Sequence, residues 1–310
     1  MADILCFGNL QFDVLCRPVT TLPAPGELRM IEAIDFMLSG NGGSVSAVLA
    51  RLGLSVELAG YSGADIVGAQ FRHQLQELGV GIDKLLRHSQ AGTGTSVITL
   101  APDGERSILY VNGANALFDL KAVPDDWLQG KRVVYVGSVF VLPQYTGEAV
   151  GALLARARAY GATTVLNICW NGQRDGLSFL QPALAETDYF ILNREEGVQL
   201  TGQAQIERIF DVLQAVVRGQ VVLTLGADGC CLRDAGDGAI HHIPAVPVRA
   251  TDCTGAGDSF VAGFIAGLVS GRSAREAARL GCHTAAFTVT GPGAYPRIPL
   301  LEEVLRLSEM

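Results

Sequence analysis

A chain of 310 residues with 49% hydrophobic content is long enough to bury a sizeable core, as one large α/β domain or as a large domain with a small appendage. A formal charge of −8 with no local lysine or arginine cluster supplies no basic footprint, which points away from nucleic acid and toward small molecules. The mean hydropathy of +0.30 raises the question of a membrane, but the apolar run from Ser259 to Gly271 is interrupted by small polar and glycine positions and is too short to span one.

In chain order, the opening MADILCFG enters a strand-like apolar run with no basic segment or cleavage site before it, and reads as a cytoplasmic protein. The first strand is expected at ILCFG (4–8). GNLQFD (8–13) then leaves Asp13 beyond its carboxyl end, where parallel α/β sheets bind ligands, although an aspartate there serves equally as a turn former. FDVLCRPV and LRMIEAIDFML (12–38) read as strands joined without a helix. LSGNGGSVSAVLARLG (38–53) sets a glycine cluster, Gly40 to Gly43, before an amphipathic helix that closes at Gly53. VELAG (56–60) is a further strand. TSVITLAPDGERSILYV (95–111) is a second helix-free pair, turning at Asp103-Gly104. VVYVG (133–137), TVLN (164–167), YFIL (189–192) and VVLTLG (221–226) complete the strand candidates, with helix-period stretches at 145–160 and 206–218.

Strands alternating with helices predict a central, mostly parallel sheet with helices on both faces. The helix-free segments cannot join that sheet, so 12–38 and 95–111 are expected to form a small separate β-sheet, a lid, on a chain otherwise organised as one domain over 1–310. Val14, Ile34, Val97, Ile98, Leu109 and Val111 are available to form one apolar face of it. The seven cysteines form no C-x-x-C pair and are read as reduced, mostly buried thiols. The five histidines have no ligand spacing.

DCTGAGDSF (252–260) carries the chemistry. A glycine-rich turn running into a helix leaves backbone N–H groups unpaired at the positive end of the helix dipole, a place suited to phosphate. Gly255 and Gly257 let the backbone approach an anion, and Ala256 adds little bulk. Asp258 would repel a passively held phosphate and is better explained as a base. It can accept the proton of a substrate hydroxyl while the turn's amides absorb charge on the phosphoryl group. The plainer reading is an aspartate complementing a helix dipole beside small packing residues. Gly263 and Gly267, which cost roughly 1 kcal/mol each against alanine, are expected to pack on the sheet.

In this order and context DCTGAGDSF is similar to the D-T-x-G-A-G-D signature of the ribokinase-like, or PfkB, family of carbohydrate and nucleoside kinases, and the resemblance spans residues 4 to 299. It implies an ATP-dependent phosphotransferase acting on a hydroxyl of a sugar or sugar-like molecule. In it Asp258 is the base and the amides of Gly255, Ala256 and Gly257 form the anion hole. Asn193 and Glu196 of NREE match the family's N-x-x-E pair, acting on Mg²⁺ and phosphate through water; read alone they fit a helix cap and a solvated glutamate. Thr224, Gly226 and Gly229 match the T-x-G-x-x-G segment at the nucleotide. Asp13 with Gly40, Asn41, Gly42 and Gly43 match the sugar-hydroxyl site, and GANA (113–116) a segment at the lid hinge. Asp252 matches a residue near a monovalent-cation loop, which with TGPGA (290–294) implies K⁺.

The chain departs from the family at Ser39 and Ser44, where glycine and asparagine are usual, so Asn41 is expected to supply the missing amide to the acceptor. Cys253 stands for a threonine, in a packing role. A nucleoside kinase remains the nearest alternative, with Phe12, Phe36 or Tyr110 as a base platform. A non-catalytic sugar or nucleotide sensor is a second. A Rossmann oxidoreductase is disfavoured because GNLQFD lacks G-x-G-x-x-G. A homodimer through the lid completes the expectations.

Overall fold

The computed structural model describes residues 2–102, 104–170, 176–234 and 238–309. The chain begins with β1 (Ile4–Phe7) and crosses into β2 (Gln11–Arg17) and β3 (Ala33–Ser39). It returns through α1 (Asn41–Arg51), β4 (Val56–Gly63), α2 (Ile66–Glu77) and β5 (Leu85–His88), then crosses again into β6 (Thr95–Leu100) and β7 (Arg106–Val111). The next elements are β8 (Val133–Val136), α3 (Gly147–Ala159), β9 (Thr163–Asn167), α4 (Gly176–Leu184), β10 (Tyr189–Asn193), α5 (Arg194–Thr201) and α6 (Ile206–Gln214). After them come β11 (Gln220–Thr224), β12 (Cys230–Arg233), β13 (Ile240–Ile243), α7 (Ala256–Val269), α8 (Ala274–Thr288) and α9 (Leu301–Ser308).

The large sheet runs β13-β12-β11-β10-β9-β8-β1-β4-β5. Its pairings are parallel from β11 to β5, and β12 and β13 add an antiparallel edge. Alternate residues of the parallel strands feed two cores. Ile4, Cys6 and Tyr135 face α1, α7 and α8, while Leu5, Phe7 and Val134 face α3 and α6. Helices on both faces are therefore why these strands read as continuous apolar runs.

Gly263 and Gly267 do not pack on the sheet as expected. A Cβ at Gly267 would stand 2.6 Å from Cα of Ala277, and one at Gly263 would strike the Thr284 side chain, both on α8. The glycines let α7 and α8 lie against each other, and that contact offsets their propensity cost.

The second sheet runs β3-β2-β6-β7, separate from the first as the helix-free segments imply. Its central pairing, β2 with β6, is parallel; the passage through α1, β4, α2 and β5 supplies the long crossover that a parallel pair requires. β6 and β7 form an antiparallel hairpin closed by Ala101 N–H on Glu105 C=O at 2.9 Å; Asp103 of the expected turn lies outside the described residues.

Register sorts this sheet's side chains into two faces. Asp13, Met37, Ser96 and Tyr110 pair across one face, on which Gln11, Ser39, Ile98 and Arg106 also lie. The other face carries Val14, Ile34, Phe36, Val97, Leu109 and Val111, of which Leu109 is 71% exposed. Ile98 was expected on this apolar face and belongs to the opposite one, where it is buried. Among the described residues no helix is long and apolar enough to cross a membrane.

Candidate active site

Gly255 is the N-cap of α7; its φ of 78° is left-handed and a Cβ on it would stand 2.5 Å from that of Ala294, so conformation and space both require glycine. No side chain caps this helix. Asp252 Oδ1 stiffens the preceding turn by accepting from Thr254 N–H at 2.9 Å and from its hydroxyl at 2.6 Å. The N–H groups of Gly255 and Gly257 have no partner among the described residues, and no atom lies within 4 Å of a Cβ built on Gly257. Free donors at the positive end of a helix are suited to receiving an anion. The expected third does not join them, because Ala256 N–H closes onto Cys253 C=O at 3.2 Å.

Asp258 follows in the first helical turn. Burial pushes its carboxyl up to about 6, and hydrogen bonds from Asn41 and Ser44 keep it from rising further. Asn41 Nδ2 donates to Asp258 Oδ1 at 2.8 Å and to Asn167 Oδ1 at 3.2 Å. The amide expected to contact the acceptor is therefore engaged with Asp258. Its orientation is fixed from behind: Ser138 Oγ donates to Asn41 Oδ1 and accepts from Asn9 N–H at 3.4 Å. Ser138 is held at φ 62°, alone in this region among the described non-glycine residues, a strained backbone of the kind that functional sites retain.

Asp13 is buried on the cleft-facing side of the small sheet, and burial raises its carboxyl against hydroxyl bonds from Ser96 and Ser39. Both serine departures thus fall in the site: Ser39 on Asp13 and Ser44 on Asp258. Gln11, missed in the sequence, is buried beside them with its Nε2 lacking any partner, a donor that a bound hydroxyl would satisfy. Tyr110 reaches from β7 to Asn9 Oδ1 at 3.3 Å and to Asn112. The glycine cluster acts differently from expectation. Gly42 and Gly43 N–H both point at Asn9 C=O, at 3.0 and 3.4 Å, and Gly40 leaves no room for a side chain against the same carbonyl. These glycines bring α1 close to the β1 end, with the Gly42 and Gly43 amides turned to Asn9. Phe12 and Phe36 pack on each other, centroids 6.2 Å apart, on the face of the small sheet away from Asp13, which leaves Tyr110 as the aromatic ring of the three on the Asp13 side. In GANA, buried Asn115 clamps Leu10 through both backbone groups, at 3.2 and 2.7 Å, where the chain enters the small sheet.

Beyond the anion turn lies a mostly apolar cavity of about 310 Å³ that brings together Thr224, Gly226 and Gly229 with Ala256, Gly257 and Phe260. Gly229, at φ 91°, lies where a Cβ would meet Ala245 N at 2.5 Å. Cys253, expected to pack internally, is exposed and lines this cavity, because the turn carries it outward. A larger hollow of about 840 Å³ includes Thr163, Tyr189 and Gln220, the amino-terminal residues of β9, β10 and β11. It lies at the opposite edge of the sheet, and its Asp188 and Asp234 are paired with Arg218 and Arg275.

Asn193 and Glu196 form a reciprocal capping box on α5, with Asn193 Oδ1 accepting from Glu196 N–H at 2.8 Å and Glu196 Oε2 from Asn193 N–H at 2.9 Å. The cap is as expected, but Glu196 is buried and not solvated, and its carboxyl is pushed up to about 7, first by burial and further by the Glu195 and Asp258 charges. The buried Tyr135 hydroxyl, which has no partner, is raised by burial and by the same Asp258 and Glu196 charges. A hydrated divalent cation beside Glu196 and Asp258 would favour the ionised form of both carboxyls. At the expected K⁺ loop, Asp252's carboxylate is engaged with Thr254, and Ala294 C=O accepts from Ser259 Oγ at 3.3 Å and Thr288 Oγ1 at 2.8 Å. No group of three or more His, Cys, Asp or Glu suited to a metal occurs among the described residues.

The family model described as pfkB family carbohydrate kinase matches residues 1–300. A ribokinase of Haemophilus influenzae is 30% identical over 97% of this chain and 97% of its own length. A nucleoside kinase of Methanothermobacter thermautotrophicus is 25% identical over 98% of this chain and 94% of its own. The structure of Arabidopsis thaliana ribokinase complexed with ribose and ATP superposes with a TM-score of 0.86 at 24% identity, covering 100% of this chain and 99% of that one. The whole-length match to the family model, with a ribokinase at 30% identity over nearly the whole of both chains, places this chain in the pfkB family of carbohydrate kinases.

Proposed function

We propose that the protein transfers the γ-phosphoryl group of ATP to a hydroxyl of an uncharged sugar or sugar-like molecule, with Asp258 as general base and the Gly255 and Gly257 amides as the anion hole. One observation carries this reading: a carboxyl held near neutrality stands beside two unpaired helix-start amides, with an apolar cavity on one side and the Asp13 cluster on the other. Adenine fits the apolar cavity at Thr224, Gly226 and Gly229. Asp13 and the orphan amide of Gln11 accept from and donate to acceptor hydroxyls. Asp258 takes the proton of the reacting hydroxyl as its oxygen bonds to phosphorus and the bond to ADP breaks, while the amides absorb charge on the phosphoryl oxygens. Mg²⁺, held through water at Glu196 and Asn193, would neutralise the nucleotide phosphates.

The small sheet closes over the acceptor and excludes water from the phosphoryl group. Its apolar outer face, turned away from Asp13, suits a second copy of the chain and supports a homodimer. A neutral sugar is favoured over a nucleoside because one aromatic ring of the three expected candidates, Tyr110, lies on the cleft side, and that ring is tied to Asn9 and Asn112. The reading is tested by ADP release with ATP and Mg²⁺ across pentoses, hexoses, sugar acids, sugar phosphates and nucleosides. Turnover greatest with a neutral sugar supports it; ATP binding without ADP release from any acceptor makes the protein a sensor instead.

A further inference from the structure

We propose that Arg106, carried by lid strand β7, is a catalytic residue that donates to the phosphoryl group in transfer, so that closing the lid delivers positive charge as well as excluding water. The inference rests on the kinase reading above. Its starting point is a contact across 148 residues of sequence: Arg106 Nη1 donates to Thr254 Oγ1 at 2.6 Å. Thr254 immediately precedes Gly255, and its hydroxyl proton is already given to Asp252 Oδ1 at 2.6 Å, so the arginine takes the remaining acceptor capacity of that oxygen. The lid register independently places Arg106 on the face that bears Asp13 and Tyr110.

The chemistry asks for such a group. The turn that receives a polyanion is flanked by two carboxylates, Asp252 and Asp258, and carries its own positive charge only as helix-start dipoles. An arginine that served the lid's stability would be expected against an acid, as Arg17 is against Asp35 at 2.7 Å on the same sheet. Arg106 is exposed and reaches a neutral hydroxyl at the anion turn. A guanidinium has five donors in a planar fork, and the bond to Thr254 uses one; the fork matches the oxygens of a phosphoryl group. Because the side chain comes from the small sheet, its charge is in place at the turn whenever that sheet lies against it, as the contact with Thr254 places it here.

The test uses the full-length protein as wild type, Arg106→Ala and Arg106→Lys, with two readouts. The first is kcat and both KM values for the best acceptor. The second is calorimetric affinity for ADP alone and for ADP with aluminium fluoride and acceptor, a mimic of the group in flight. Expected for Arg106→Ala is a fall in kcat of about 10²-fold, as for removal of one oxyanion donor, with acceptor KM little changed. Partial recovery is expected in Arg106→Lys or with added guanidinium ion. The aluminium fluoride complex should weaken by a comparable factor while ADP affinity is retained. Unchanged kcat in Arg106→Ala, or equal changes in the affinities for ADP and its aluminium fluoride complex, overturns the proposal and leaves the kinase reading standing. A wild type that releases no ADP with any acceptor overturns both.

Discussion

Replacing Asn41 with alanine tests whether its amide serves the base or the acceptor. Asn41 Nδ2 lies 2.8 Å from Asp258 Oδ1, and its other amide atom is held by Ser138, so the carboxylate loses an oriented donor. A hydrogen bond to a charged group contributes about 1.5–3 kcal/mol. Water replaces part of it at this half-buried residue, which leaves about 1.4 kcal/mol, or about one pKa unit. Losing a donor disfavours the ionised form, so the carboxyl moves upward, from about 6 toward roughly 7. The active form is the carboxylate, so the acid limb of kcat/KM moves to higher pH. Activity then falls about threefold at pH 6.5 and scarcely at pH 8.5. The assay is kcat/KM for the best acceptor from pH 5 to 9. Ser138→Ala should shift the limb the same way by less, and add little in the Asn41→Ala background. A uniform loss at every pH with an unmoved limb would refute the reasoning and return Asn41 to the acceptor site.

Three further outcomes follow from the geometry. Asp258 has its pKa raised on folding, so its ionisation opposes stability above about pH 6, and this penalty vanishes below the unfolded value of about 4; Asp258→Asn should raise the melting temperature at pH 8 and lose that advantage at pH 4. A variant no more stable than wild type at pH 8 would contradict the desolvated carboxyl. K⁺ should raise activity over a bulky organic cation if the 290–294 carbonyls hold an ion, and equal rates in both buffers count against the site. Amide exchange in 12–38 and 95–111 should slow when acceptor and a non-hydrolysable ATP analogue bind together, with Leu109→Lys on the outer lid face giving a monomer by light scattering. Unchanged exchange removes the lid role, and a monomeric wild type removes the dimer.

The parallel strands were legible because burial on both faces makes each an uninterrupted apolar run bounded by glycine or a helix, and DCTGAGDSF was legible because turn, dipole and carboxylate are contiguous. The short strands β5, β12 and β13 at the two ends of the sheet were not. Each is four residues long, and LLRH and IHHI mix polar residues into half-exposed positions without clean alternation. The lid's strands were readable but its faces were not, since a shift of one residue exchanges them and the pairing of β2 with β6 sets the register. Asn9, Gln11, Ser138 and Tyr135 carry no local signal: Asn9 meets Ser138 across 129 residues and Tyr110 across 101. The same holds for Arg106, which spacing cannot link to Thr254. The direction of the Gly42 and Gly43 amides was not legible either, since only the position of Asn9's carbonyl decides it.

The central claim is that Asp258 removes the acceptor's proton, and Asp258→Asn tests it most directly by keeping the side chain's shape and its place beside Asn41. With the best acceptor, ATP and Mg²⁺ at pH 8, turnover should fall by roughly 10²- to 10⁴-fold while ATP affinity stays near that of the wild type. Turnover close to wild type in that variant would contradict the account.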